Sequence, residues 1–198
     1  GMENRGRGGE FGGIGMRCGE LGNLAFLRPN YAKAVADLCK AQGGVPFLTD
    51  CNTLYPGSRK NAPEHLDCAN LNGFNTITTG CQILIGDGLR GTDEVEVPVP
   101  NAEYCPAPKI GRAIMDADIF ISLTHFKGHE ATGFGGAIKN IGMGCGSRAG
   151  KMEQHTSGKP AIDSEKCRGC RRCAHECGSD AITYPNGKAV IDYDKCKG

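Results

Sequence analysis

The stretch Asn30-Tyr-Ala-Lys-Ala-Val-Ala-Asp-Leu-Cys-Lys-Ala-Gln-Gly-Gly-Val-Pro-Phe-Leu-Thr-Asp50 changes its hydrophobic period midway. Tyr31, Val35, Leu38 and Cys39 stand at i, i+4, i+7 and i+8, which puts them on one face of a helix. Asn30 reads as the N-cap and Gly43-Gly44 as the stop. Val45–Asp50 then reads as a short buried strand with a polar loop, Cys51–Ser58, at its carboxyl end. Downstream, a helix is expected around Pro63–Leu71 and a strand at Cys81–Asp87. An edge strand is expected at Val95–Val99, because Pro98 cannot donate to a ladder. A helix over Ile110–Ala117, a buried strand at Asp118–Leu123 and a glycine-punctuated helix near Gly135–Met143 follow. Upstream, the glycine-rich residues 1–20 allow one short strand near Ile14–Cys18. Strands alternating with helices imply an α/β fold, with a mostly parallel sheet and helices on its faces. That domain is expected to run from residue 1 to about 160, ending in a polar linker.

Composition narrows the function. A net charge of +1 argues against nucleic-acid or polybasic membrane partners. No apolar run approaches the roughly 18 residues a membrane span needs. The N-terminus has no apolar signal segment, and Gly1 before Met2 reads as a cloning remnant. Twelve cysteines in a chain this long, without an export signal, point to a reduced, cytoplasmic, metal-using protein rather than a disulfide scaffold.

Five of those cysteines carry the strongest chemical signal. Cys167-Arg-Gly-Cys170-Arg-Arg-Cys173-Ala-His-Glu-Cys177 has the spacing C-x2-C-x2-C-x3-C, the bacterial ferredoxin pattern for a 4Fe–4S cluster. Three cysteines at three-residue intervals can wrap one cluster, and the fourth reaches toward a second. The following residues read as strand, a turn at Pro185-Asn-Gly187, strand, and then Cys196. Cys196 would open a second motif. Residues 161–198 therefore read as a small ferredoxin-like module, two-cluster by design, whose ligand sets are incomplete within this chain. At 38 residues it falls in the range where metal or an external surface is needed for folding.

In open parallel sheets, ligands bind beyond the carboxyl ends of the strands. Asp50 and Asn52 fall there and are candidate binding residues, although an Asx-type turn explains them equally. Asp87–Gly91 falls at another strand end, where a turn or ion pair would suffice. The richest loop is Thr124–Asn140. His125, Lys127 and His129 are candidate catalytic groups, since imidazole titrates near neutrality. The four-residue interval between the histidines also suits metal ligation on a helix, but Gly128 favours a loop. Gly133, Gly135 and Gly136 precede a helix and suit an anion cradle, with Lys139 and Arg148 adding charge. Tight helix–sheet packing is the alternative for those glycines. Cys39, Cys68 and Cys81 read as core thiols, whereas Cys51 and Cys145 sit in candidate site loops.

Three runs carry a resemblance: Leu48–Arg59, Ser122–Cys145 and Ser147–His155. Together they resemble the bacterial and archaeal domain of unknown function 362, over roughly residues 14–198. That resemblance implies an α/β domain often followed by a ferredoxin with two 4Fe–4S motifs. A fainter similarity, in His-x-x-x-His followed by Gly-Phe-Gly-Gly-x-x-Lys, links the chain to nickel-dependent lactate racemases. The chain departs from the family at Gly15-Met-Arg-Cys-Gly-Glu20, where a lysine and a histidine are typical. The expected function is an iron–sulfur protein whose electron transfer is coupled to a small-molecule site, with a redox partner protein or a small-molecule substrate. The alternatives are a non-redox acid–base or metal-assisted enzyme with a structural or sensory cluster, and a plain carrier.

Overall fold

The computed structural model describes residues 9–55, 57–129, 132–155, 160–177 and 180–196. Its elements run β1 (Phe11–Gly15), α1 (Pro29–Ala41), β2 (Val45–Asp50), α2 (Ala62–Leu71), α3 (Thr76–Thr79), β3 (Gln82–Ile85), β4 (Glu94–Glu96), β5 (Lys109–Gly111), α4 (Arg112–Met115) and β6 (Ile119–Ser122). They continue with β7 (Lys127–His129), β8 (Gly133–Gly135), α5 (Ala137–Cys145), α6 (Arg148–His155), α7 (Arg172–Glu176), β9 (Ile182–Thr183) and β10 (Val190–Ile191). The chain divides into two compact units, residues 1–151 and 152–198, with the division inside α6.

The first unit is built on a four-stranded sheet in the order β3-β2-β1-β6, and every pairing in it is parallel. This is the α/β architecture expected from the alternating periods. Ile14 and Leu48 lie fully buried side by side in the sheet, packed with Ala32 and Ala36 of α1, Ala69 of α2 and Phe74. Burying a leucine or isoleucine of this kind contributes about 1.5–3 kcal/mol. Cys51, Ile114 of α4 and Cys145 of α5 form a second cluster with Ile110 and Phe120.

Several elements differ from the sequence reading, each for a physical reason. The first strand is not Ile14–Cys18 but Phe11–Gly15, and it is central to the sheet. Three of its five residues are glycine, which weakens the strand signal. The glycine at 15 has a packing use, since a Cβ there would collide with the Phe120 ring. Asn30 does not cap α1. Arg28 holds the N-cap position without a side-chain bond, and Pro29 opens the helix with its fixed φ. The strand expected at Val95–Val99 is β4, paired antiparallel with β5 in a separate two-stranded sheet. Ile110, read as helical, belongs to β5, and only Arg112–Met115 turn helically. Ile119–Ser122 is an edge strand and is only partly buried. The polar linker before Pro160 contains α6. No helix among the described residues is long and apolar enough to cross a membrane.

The second unit holds α7 and an antiparallel β9–β10 pair, with Ile191 opposite Ile182. Gly187, in the turn between these strands, has φ +71°, a conformation glycine adopts without a Cβ penalty.

Candidate functional site

Because the sheet is parallel, β2, β3 and β6 end on one edge at Asp50, Ile85 and Ser122. The loops holding Asp50 and Asn52, Asp87–Gly91, and His125–Lys139 all leave from that edge. Strand order reverses direction at β1, which makes the β1/β6 side the crevice of this sheet type.

A chain of charges lines the β2 end. The Arg59 side chain, 4% exposed, donates from Nε to Glu20 Oε2 at 3.0 Å and from its Nη1 to Asp50 Oδ2 at 3.4 Å. Glu20 Oε1 accepts the Ser58 amide at 3.0 Å. Burial works against the Glu20 charge, but the Arg59 hydrogen bond and positive charge hold its carboxyl below the ordinary carboxylate value. His65 of α2 is buried beneath the same carboxylate, with Nε2 at 3.8 Å from Asp50 Oδ2. That separation exceeds a hydrogen bond, and neither ring nitrogen has a partner. Burial pushes its pKa down to about 4, against the opposing pull of Asp50 and with a further push from Arg59.

Beside it, Asn52 donates from its backbone amide and its side-chain Nδ2 to Asp87 Oδ1, at 2.9 and 2.8 Å. Asp87 is fully buried and its other oxygen, Oδ2, has no partner. Burial raises the Asp87 carboxyl pKa, opposed by the Asn52 amide and the positive Lys151. Thr49 Oγ1 and Asn52 Oδ1 are likewise buried and unpartnered. Three such atoms, on Thr49, Asn52 and Asp87, lie along the β2 and β3 ends. Of these residues, the sequence reading singled out Asp50, Asn52 and the loop opening at Asp87. It missed Glu20, Arg59 and His65, because isolated charged residues in a loop or on a helix carry no spacing signal.

The β6 end is organised by α5. Asn140 donates from Nδ2 to Ser122 Oγ at 2.8 Å and to the Gly15 carbonyl at 3.2 Å, tying the helix to β1 and β6. Gly136 is the N-cap and supplies no side chain to the first helical amides. Gly133 and Gly135 belong to β8, which pairs with Lys127–His129 in a hairpin. His129 Nδ1 accepts the Thr132 amide at 3.2 Å, and its Nε2 contacts Lys139 Nζ. The fold thus joins His129 to Lys139, while His125 and Lys127 are exposed on the hairpin arm. Arg148 is placed elsewhere. It packs on Gly91 and donates to the Lys60 carbonyl at 3.4 Å, so it belongs to the loop after β3 rather than to the glycine cradle.

Cys51 and Cys145 are buried together, and the Cys51 thiol donates to the Cys145 carbonyl at 3.4 Å. Burial raises both pKa values, that of Cys145 to about 11, so both remain neutral thiols rather than nucleophiles. Cys68 and Cys81 are buried as expected of core thiols, and Cys39 is half-buried.

In the second unit, the β9–β10 hairpin reaches three of the four motif sulfurs. The Ala189 amide donates to Cys167 Sγ at 3.3 Å, and the Ala181 amide donates to Cys177 Sγ at 3.4 Å. Tyr184 Oη lies 2.9 Å from Cys173 Sγ. The Ala189 and Gly169 amides lower the Cys167 pKa, which favours its thiolate. Cys170 and Cys173 are exposed, and Cys196 is half-buried. Donor type and sulfur hydrogen bonding suit a thiolate-bound cluster. Among the described residues, however, no three His, Cys, Asp or Glu side chains are gathered closely enough to hold a metal ion.

Comparison with known proteins gives one relationship. The family described as Domain of unknown function (DUF362) matches residues 14–195. No curated protein and no solved structure matches the chain. The family match begins within the central strand β1 and takes in the strand-end loops and the cysteine motif, and the chain belongs to the DUF362 family.

Proposed function

We propose that this protein binds iron–sulfur and moves single electrons between a redox partner protein and a small molecule held at the carboxyl edge of the sheet. The observation that carries the reading is the hairpin hydrogen-bonding to sulfurs of a Cys-x2-Cys-x2-Cys-x3-Cys run, with the Ala181 and Ala189 amides as donors. Hydrogen bonds to the sulfurs are among the main settings of an iron–sulfur centre. By the two-cluster spacing, Cys167, Cys170 and Cys173 would be ligands of one 4Fe–4S cluster and Cys177 with Cys196 of a second, and the chemistry supplied would be one-electron transfer. The remaining work falls to the chain's own residues. The first amides of α5 favour an anionic molecule. Glu20 and Asp50 fix Arg59, and His129 beside Lys139 offers a proton exchange point near the crevice. A non-redox acid–base enzyme with a structural or sensory cluster is the second reading. It is supported by the unpartnered His65 and Asp87 atoms, which mark a polar site that needs no electron supply.

The test is iron content after anaerobic reconstitution with iron and sulfide. Cys167→Ser, Cys170→Ser and Cys173→Ser should each lose most of the bound iron and sulfide, while Cys39→Ser on α1 should retain it. Equal loading in all four variants would contradict the reading.

A further inference from the structure

The β7–β8 hairpin, which leaves the carboxyl edge of the sheet, turns its aromatic side chains outward. Phe126 is 71% exposed and Phe134 63%. Their ring centroids lie 5.6 Å apart with the planes tilted by 32°, so the two rings form one paired surface. The ladder register explains the pairing. Phe134 stands opposite Gly128, and Phe126 precedes that glycine by two residues, which puts both rings on one face of the ribbon. Gly128 leaves space beside them, since a Cβ there would meet no atom within 4 Å. A Cβ on Gly136, the N-cap of α5, would stand 3.5 Å from the Phe126 ring, so the rings border the start of that helix. Two residues further on, Ile138 is 90% exposed. Cross-strand packing accounts for the rings meeting each other, but not for their outer surfaces and Ile138 staying in water.

The surroundings are basic. The described residues of the hairpin and α5 include Lys127 and Lys139 and no carboxylate, while Glu130 lies outside the described residues. Size narrows the occupant further. Two phenylalanine rings and one isoleucine fall short of the roughly 800 Å² that each partner buries in a stable protein interface. They match a single ring system instead, because any conjugated ring has a face that stacks on an aromatic side chain. We propose that the Phe126–Phe134 face stacks the flat ring of a small conjugated anion, whose phosphate or carboxylate is drawn to the adjoining lysines. This names the chemical class of the small molecule assigned above to the carboxyl edge. It rests on that assignment and not on the cysteine run.

The experiment is calorimetric titration of the full chain as purified with three probes: flavin mononucleotide, riboflavin and ribose 5-phosphate. Flavin mononucleotide carries both the conjugated ring and the phosphate, and each of the others lacks one of them. It should bind about tenfold or more tightly than either at low salt. Phe134→Leu keeps an apolar side chain but removes the aromatic face. It should weaken flavin mononucleotide about five- to thirtyfold and leave ribose 5-phosphate unchanged. Phe134→Tyr keeps the ring and should retain the native affinity, which separates stacking from a hairpin merely loosened by the leucine. Equal binding of flavin mononucleotide by native and Phe134→Leu chains overturns the stacking role while leaving the iron–sulfur reading intact. Riboflavin binding as tightly as flavin mononucleotide overturns the anionic class. A native chain that prefers neither flavin over ribose 5-phosphate overturns the inference outright. So does sedimentation of the native chain as a dimer that Phe134→Leu makes monomeric, since the face would then be covered by a second copy. No outcome depends on iron, so failure here and failure of iron loading are read separately.

Discussion

Replacing Arg59 by methionine should destabilise the first unit by about 3–5 kcal/mol, more than removing any single exposed charge on its surface. Methionine keeps much of the arginine stem's volume, so the loss is electrostatic rather than a cavity. Arg59 is 4% exposed and donates to two carboxylates, Glu20 and Asp50, of which the Asp50 side chain is 11% exposed. Without the guanidinium, Asp50 keeps the Cys51 amide at 3.0 Å and the charge of Arg17 to offset part of its burial. Glu20 is 38% exposed and recovers part of its hydration, so most of the cost falls on Asp50. Urea unfolding followed by circular dichroism reads this as a lower midpoint at unchanged slope. Asp50→Asn in the Arg59→Met background should restore part of the loss, because it removes the stranded charge. A stability loss below about 1 kcal/mol would mean the pair is hydrated rather than buried.

The second large effect is acid lability set by His65. In the unfolded chain this imidazole takes a proton near pH 6.5, whereas in the fold burial holds it neutral down to about pH 4. Between those values the unfolded state binds more protons, so stability falls as pH falls through that window. Above pH 6.5 this residue contributes no pH dependence, and below about 4 its penalty is complete. The total is on the order of 3 kcal/mol. His65→Phe removes the titration and should flatten the stability profile between pH 6.5 and 4. If the native protein is equally stable at pH 7 and pH 5, the histidine is charged or hydrated in the fold.

How much of this was legible in the residues depends on whether the signal was local. Val45–Asp50 matches its expected strand because an apolar run between glycines and a polar loop leaves little alternative. The central strand was displaced by several residues, because Gly13 and Gly15 take their packing role from Phe47 and Phe120, distant in sequence. Ile110 sat in a helical pattern, yet pairing with Val95 across the β4–β5 ladder outweighs the propensity of four residues. At the site, the strand-end rule located all three loops from the alternating pattern. It was silent on the partners of Asp50, since Arg59 and His65 arrive through a loop and a helix with no shared spacing. Arg148 shows the converse error. Its nearness in sequence to the glycine loop suggested an anion site, but the α6 backbone carries it to Gly91. The cysteine spacing was visible in the residues, while its hydrogen bonds to Ala181, Tyr184 and Ala189 required the hairpin to be folded.

The redox-active iron–sulfur centre proposed for the Cys167–Cys177 run is tested most directly by one measurement. The full chain is reconstituted anaerobically with iron and sulfide, desalted, reduced with dithionite and frozen for EPR. The prediction is a signal of a reduced 4Fe–4S centre that appears on reduction, disappears on reoxidation and is absent from Cys170→Ser. A reconstituted chain that keeps no sulfide and gives no such signal would contradict the account.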